Sequence, residues 1–521
     1  MGKNILIFSD GTGQAGGIRF DEDRTNVYKL YRATRCGPDS RIHPDEQVAF
    51  YDPGLGSPAD RGFMFGEVGR WMYNIASQAT GLGITANVVD CYAALIRLYR
   101  DGDRIFLFGF SRGAYTVRCL AAAIAKCGIP RHLPGNKPLP LDVAGSRKLA
   151  TVAVKHVYQF CSSKPRKEDG SYRNFMLDTR ALIATRFRRD HGSSNPDDVE
   201  KANVYPYFIG VFDTVASLGR PGAVIGLFLG FWIIVALFSL AVSLLTAFSH
   251  VPYIGWLLAY LTFEHVVFAL AGAIAATGLI AYLRNYIKYD FCVPGYGLFK
   301  RMATFHVAPP KHTFTDYYLD ENVEYAKHAI SIDENRKDFK RVRWYPNEER
   351  ADTRDHFGNI HFEQVWFCGI HADVGGGYPE NESRLSDTTL NWMLAAASII
   401  PQGILHDERV LCLYSDPTGP QHDECKAGHW QRALRDLPID SKTGMSAATM
   451  HKSVYARFEA RNVVQYDVMA PYRPSNLKNH VDFLHYYDTT KTAPAQPQVI
   501  ADDVEAKWQR QKTERRAASE Q

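Results

Sequence analysis

Short apolar runs rich in Ile, Val and Phe recur along the chain, and each ends at a polar or glycine-rich turn. They are Asn4–Ser9 (NILIFS), Arg104–Phe110 (RIFLFGF), Tyr207–Phe212 (YFIGVF) and Gln364–Ile370 (QVWFCGI). Stretches with helical periodicity separate them, such as Thr85–Tyr99 and Ala114–Cys127. Nearly continuous apolar strands that alternate with helices predict an α/β fold, a mainly parallel sheet covered by helices on both faces. Pro130–Pro140 reads as a loop, and Ser162–Ser171 and Arg188–Asp198 as exposed polar segments. The tail 489–521, rich in Pro, Gln, Lys and Glu, is expected to pack weakly or form a solvated helix.

One stretch breaks the alternation. From Pro221 to Leu283 the only formal charge is Glu264. Gly222–Phe248 is 27 residues without an ionisable side chain, and Val266–Leu283 adds 18 more. As a helix the first would be about 40 Å long, enough to cross a hydrocarbon core of about 30 Å. The pair predicts a membrane-associated helical hairpin, 221–285, flanked by Arg220, Arg284 and Lys288, whose positive charge favours a cytoplasmic face. Glu264 beside His265 belongs near an interface or against protein. The hairpin returns both ends to one side, so 1–220 and 286–488 are expected to form the two parts of one core.

Composition narrows the function classes. A formal net charge of +4 over 521 residues is too weak and dispersed for a nucleic-acid-binding face. Nine widely spaced cysteines without a CxxC pair read as reduced thiols and leave no metal cluster. No cofactor is implied.

The chemistry gathers at strand ends. Gly109-Phe110-Ser111-Arg112-Gly113 fits GxSxG after a strand and before a helix, the context of a nucleophile elbow. A serine hydroxyl needs an adjacent base. Asp213 follows YFIGVF and His371 follows QVWFCGI, so the order Ser111, Asp213, His371 is that of an α/β-hydrolase triad. Asp373 is the alternative acid, although bonding the backbone N–H groups of its own glycine-rich turn suits it better. After the first strand, Gly11 and Thr12, with the N–H of Arg112, are candidates for an oxyanion hole. GTGQAGG matches neither GxxxxGK[ST] nor a GxGxxG that opens a helix, which argues against a nucleotide.

Several blocks occur together: FSDGTG (8–13), YDPGLGS (51–57), GFSRGAYTVR (109–118), GVFDTVASLG (210–219), YAKHAISIDENRKDF (325–339) and VWFCGIHADVGGGY (365–378). In these blocks the chain resembles the α/β-hydrolase domain family that includes the phospholipase effectors of bacterial type VI secretion. The resemblance implies an α/β-hydrolase-like sheet interrupted by the apolar insertion. It also implies a Ser–Asp–His hydrolase of phospholipid acyl esters, with Ser111 matching the nucleophile, Asp213 the acid and His371 the base. The expected partners are a phospholipid or other acyl ester and a bilayer, reached from the chain's own cytoplasm or by delivery to another cell. A carboxylesterase or thioesterase acting on soluble esters, and a non-catalytic membrane-tethered scaffold, are the competing readings.

Overall fold

The computed structural model describes residues 2–11, 23–54, 82–161, 167–215, 317–346, 353–426 and 430–519, with isolated residues and pairs between 216 and 316. Six strands form one parallel sheet: β1 (Asn4–Ser9), β2 (Gln47–Asp52), β3 (Arg104–Phe110), β4 (Pro206–Phe212), β5 (Tyr325–Ser331) and β6 (Phe362–Phe367). Their order is 2-1-3-4-5-6, an α/β-hydrolase-like arrangement. The order reverses between β1 and β3, and a crevice opens beyond the strand ends at such a switch point.

Side-chain alternation along the strands splits the core into two layers. Ile5, Ile7, Ile105, Leu107, Ile209 and Val211 pack beneath helices α2 (Leu82–Leu98) and α3 (Arg112–Cys127). Leu6, Phe8, Phe106, Phe108, Phe208 and Phe212 face α1 (Asn26–Thr34) and α4 (Arg384–Ile399). Phe8 and Phe108 stack at 5.2 Å between ring centroids. Each such buried ring contributes on the order of 1.5–3 kcal/mol. A third apolar cluster, including Trp366, Met450, Phe458 and Tyr472, extends the core beyond β6 into the C-terminal segment.

The strand expected at 364–370 runs instead from Phe362 to Phe367, because Gly369 turns the chain at φ 99°. The C-terminal tail packs more firmly than its composition suggests. Helix α5 (Val504–Ser519) buries Val504 and Trp508, one turn apart, in the same layer as α4. None of the eight described cysteines is in a disulfide. The two apolar segments of the expected hairpin lie outside the described residues, apart from a few single helical positions. Among the described residues no helix is long and apolar enough to cross a membrane. Thr12 also lies outside them.

Candidate active site

Ser111 occupies the turn between β3 and α3 with φ 58° and ψ −119°, a strained conformation for a residue with a Cβ. Two glycines make the turn sterically possible. A methyl on Gly109 would stand 2.5 Å from the carbonyl oxygen of Gly113, and one on Gly113 would stand 2.0 Å from that of Ser9. The helix therefore starts against the end of β1, and its start brings Gly11 beside Ser111. A methyl on Gly11 would lie 3.6 Å from Ser111 Cβ.

Asp213, directly after β4, is fully buried and also has positive φ, 35°. Its Oδ2 lies 2.6 Å from Nδ1 of His371, which follows β6. Its Oδ1 accepts from Ser331 N–H at 3.2 Å. The imidazole is wedged between rings: Phe110, next to Ser111, at 4.6 Å and Phe339, edge-on, at 5.2 Å. The backbone N–H of His371 donates to Glu334 Oε2 at 3.0 Å, which fixes the start of its helical turn. Nε2 of His371 is buried and has no hydrogen-bond partner among the described residues, Ser111 Oγ included. The three sequence-predicted side chains thus gather at the ends of β3, β4 and β6. The acid and the imidazole are in contact, and the imidazole packs on the residue before the serine.

Asp373 faces elsewhere. Its carboxylate accepts from Ile370 N–H at 3.0 Å and from His422 N–H at 3.2 Å, and its Oδ1 lies 2.6 Å from His422 Nδ1. Burial lowers the basicity of His422, but Asp373 and Glu382 outweigh it and raise its pKa to about 9. This imidazole clamps the 410–426 segment onto the glycine-rich turn. Gly11, beside Ser111, donates its N–H to Asp10 Oδ1 at 2.7 Å. Asp10 in turn accepts from Thr25 and Tyr51 hydroxyls, both at 2.6 Å. Arg112 N–H belongs to the first turn of α3, where amides lack intrahelical partners. Burial draws the Arg112 guanidinium down to about 10.

Two participants were not legible in the sequence. Arg435 is buried and donates from Nη2 to Asp213 Oδ2 at 2.5 Å and to Ser331 Oγ at 2.7 Å. Burial alone would raise the Asp213 carboxyl, but Arg435 and then His371 outweigh it and hold the acid well below the usual carboxylate range. His328, fully buried in β5, accepts from Thr214 N–H at 3.3 Å. Burial and Arg118 pull it down to about 3, so it stays neutral beneath the site. Arg435 belongs to no quoted block, and His328 lies in the block 325–339 without a role assigned to it there; only the register of β4 against β5 and the return of the 430s could have exposed what they do. Among the described residues no group of His, Cys, Asp and Glu could hold a metal ion.

Comparison with known proteins gives this geometry a family. The chain is 24% identical over 424 residues to an uncharacterised protein of Saccharomyces cerevisiae, a match that covers 76% of this chain and 57% of that protein. Solved structures with a similar backbone are a crystal structure of an uncharacterised protein from Pseudomonas aeruginosa and a Tle1 effector bound to the VgrG spike of the type 6 secretion system. The first has TM-score 0.31 and 14% identity, and covers 78% of this chain and 47% of that one. The second has TM-score 0.28 and 14% identity, and covers 74% and 53%. The chain thus spans about half the length of these relatives. The family model described as "T6SS, Phospholipase effector Tle1-like, catalytic domain" matches residues 3–234 and 289–396, and with well over half of its length so matched this chain belongs to that family.

Proposed function

We propose that the chain hydrolyses acyl esters of phospholipids through Ser111, His371 and Asp213. The observation that carries the reading is the 2.6 Å contact between Asp213 Oδ2 and His371 Nδ1, made where Nε2 has no partner among the described residues and a strained serine turn lies close by. In this reading Asp213 fixes the tautomer, so that Nε2 carries the lone pair. Ser111 Oγ attacks the ester carbonyl while Nε2 takes its proton. Arg112 N–H stabilises the oxyanion. The tetrahedral intermediate collapses, Nε2 returns the proton to the leaving alcohol, and an acyl-serine remains. Water deprotonated by Nε2 then releases the fatty acid and restores Ser111. Nε2 has no partner among the described residues, and in this reading Ser111 Oγ turns to it when substrate binds, as apo catalytic contacts often do.

The family's description as a phospholipase effector supports the substrate class and a role in delivery to another cell. The apolar insertion supports contact with a bilayer. Its described residues Trp232, Ile233, Leu237 and Ile280 are helical and 40–63% exposed, a pattern that favours a lipid or protein partner. A fluorophosphonate probe should label wild type and not Ser111→Ala. Mass spectrometry of phospholipid vesicles should then find free fatty acid and lysolipid with wild type only. Turnover on dispersed short-chain esters with no gain on vesicles would assign a soluble-ester hydrolase instead. A folded wild type that never labels would make the chain a scaffold.

A further inference from the structure

We infer that Arg435 is a positioning residue of this site, holding the carboxylate of Asp213 and the ring of Phe339 around His371 and limiting how strongly that carboxylate favours a protonated imidazole. The inference rests on the reading of Ser111, Asp213 and His371 as the reacting triad. Arg435 stands outside the residues matched by the family model, 3–234 and 289–396.

The geometry is that of a fork with three prongs in use. Nη2 bonds Asp213 Oδ2, the oxygen that also meets His371 Nδ1, and Ser331 Oγ. Nη1 donates to the carbonyl of Phe339 at 2.7 Å, and the Phe339 ring packs on the imidazole. One planar guanidinium therefore sets the rotamer of the acid and the wall behind the base. Lysine, a point charge on a flexible stem, cannot make these bonds together.

Stability alone does not explain the placement. Burying a cation and an anion costs several kcal/mol per ion, and apolar groups of similar volume often serve a core as well. The charges around the imidazole are instead balanced. Asp213 meets Nδ1, and Glu334 takes the backbone N–H. Against them stand Arg435 on Asp213 and Arg336, paired with Glu334 at 2.7 Å and stacked 3.5 Å over Phe339. Further out, Arg341 stacks over Trp366, His328 lies beneath Thr214, and Asp373 is paired with His422. If the Arg435 charge is removed, the imidazole is left among two carboxylates and one guanidinium, which favours imidazolium and withholds the base at mildly acid pH.

The test uses the full chain, a short-chain p-nitrophenyl ester and the pH profile of kcat/KM for wild type, Arg435→Met and Arg435→Lys. In Arg435→Met we expect kcat/KM to fall about 10- to 100-fold near neutral pH and the acidic limb of the profile to move to higher pH. In Arg435→Lys we expect a fall of about tenfold with the limb unmoved, since the charge stays and the fork is lost. A folded Arg435→Met with the wild-type profile, or with slower turnover and an unmoved limb, overturns the inference, because a merely structural arginine would behave so. If Arg435→Met does not fold, Arg435→Lys decides, and wild-type kcat/KM there overturns it. Fluorophosphonate labelling of Ser111 separates the two levels. A wild type that labels while the Arg435 variants behave as wild type refutes only the positioning role, whereas a wild type that never labels refutes the triad and this inference with it.

Discussion

Gly113→Ala tests whether the close approach of α3 to β1 builds the site. Its added methyl would stand 2.0 Å from the Ser9 carbonyl oxygen, 2.4 Å from the Ser9 carbonyl carbon and 2.6 Å from the Asp10 oxygen. All three are backbone atoms in or next to a fully buried strand, so no rotamer change relieves the clash. Ordinary contact begins near 3.4 Å, so the start of α3 must retreat by roughly 1.4 Å, judged against close-packed interiors. Two terms oppose each other. Alanine improves helix propensity by about 1 kcal/mol, while overpacking costs about 1–3 kcal/mol. The steric term wins, and a net loss of up to about 2 kcal/mol leaves a protein of ordinary stability folded. The elbow moves with the helix, however, and a displacement of about 1 Å in a reacting group costs on the order of 100-fold in rate. Urea unfolding followed by tryptophan fluorescence should show a small drop in midpoint, and ester turnover with Ser111 labelling a much larger loss. Wild-type turnover in Gly113→Ala would refute the reasoning, because the elbow would then be indifferent to where its helix begins.

Two further predictions concern stability against pH. His422 has a folded pKa of about 9, above its unfolded value near 6.5. Its pairing with Asp373 and Glu382 therefore stabilises fully below about 6.5 and is lost as pH rises through about 9. His422→Gln should have a lower urea midpoint than wild type at pH 6, and the two should converge by pH 10; a gap that persists unchanged at pH 10 contradicts the ion-pair account. Asp333 is a carboxyl shifted in the same direction, because burial raises it to about 6. The folded state then holds an extra proton between about 4 and 6, and stability falls as pH rises through that window. Gly369 N–H at 2.7 Å and Tyr472 O–H at 2.8 Å both donate to Oδ2, so an amide oxygen can take over. Asp333→Asn should gain on wild type between pH 4 and pH 8, and the idea fails if it loses ground over that range.

The legible parts of the fold were those where one physical signal dominated. NILIFS and RIFLFGF are uninterrupted apolar runs buried on both faces, and they became β1 and β3 to the residue. QVAFYD became β2, but an edge strand is only half covered, so its pattern carries little contrast. YAKHAIS became β5 although Lys327 and His328 interrupt its apolar run. Both are satisfied by tertiary partners, Lys327 by Glu363 at 2.9 Å and His328 by Thr214, which no local window contains. The site divides in the same way. Ser111, Asp213 and His371 each end a strand and were visible as such, whereas Arg435 lies in a loop with no periodicity and reaches Asp213 across 222 residues. In the tail, mean polarity concealed Val504 and Trp508, whose spacing of four residues builds a buried stripe.

The topology explains how one core tolerates a long apolar insertion beside its reacting groups. β4 and β5 are parallel neighbours, so the chain between them must cross over in any case, and lengthening a crossover costs little closure entropy. The chain stays pinned after β4. Asp213 N–H donates to the Ala329 carbonyl at 2.7 Å, Thr214 accepts from Val342 N–H at 3.0 Å, and Val215 bridges Arg341. Only then does it leave towards Gly222, nine residues beyond Asp213. The loop that pins it, 332–345, also carries Glu334 and Phe339, the residues that hold His371. The acid–imidazole contact is thus set at the sheet edge by backbone bonds that precede the insertion along the chain.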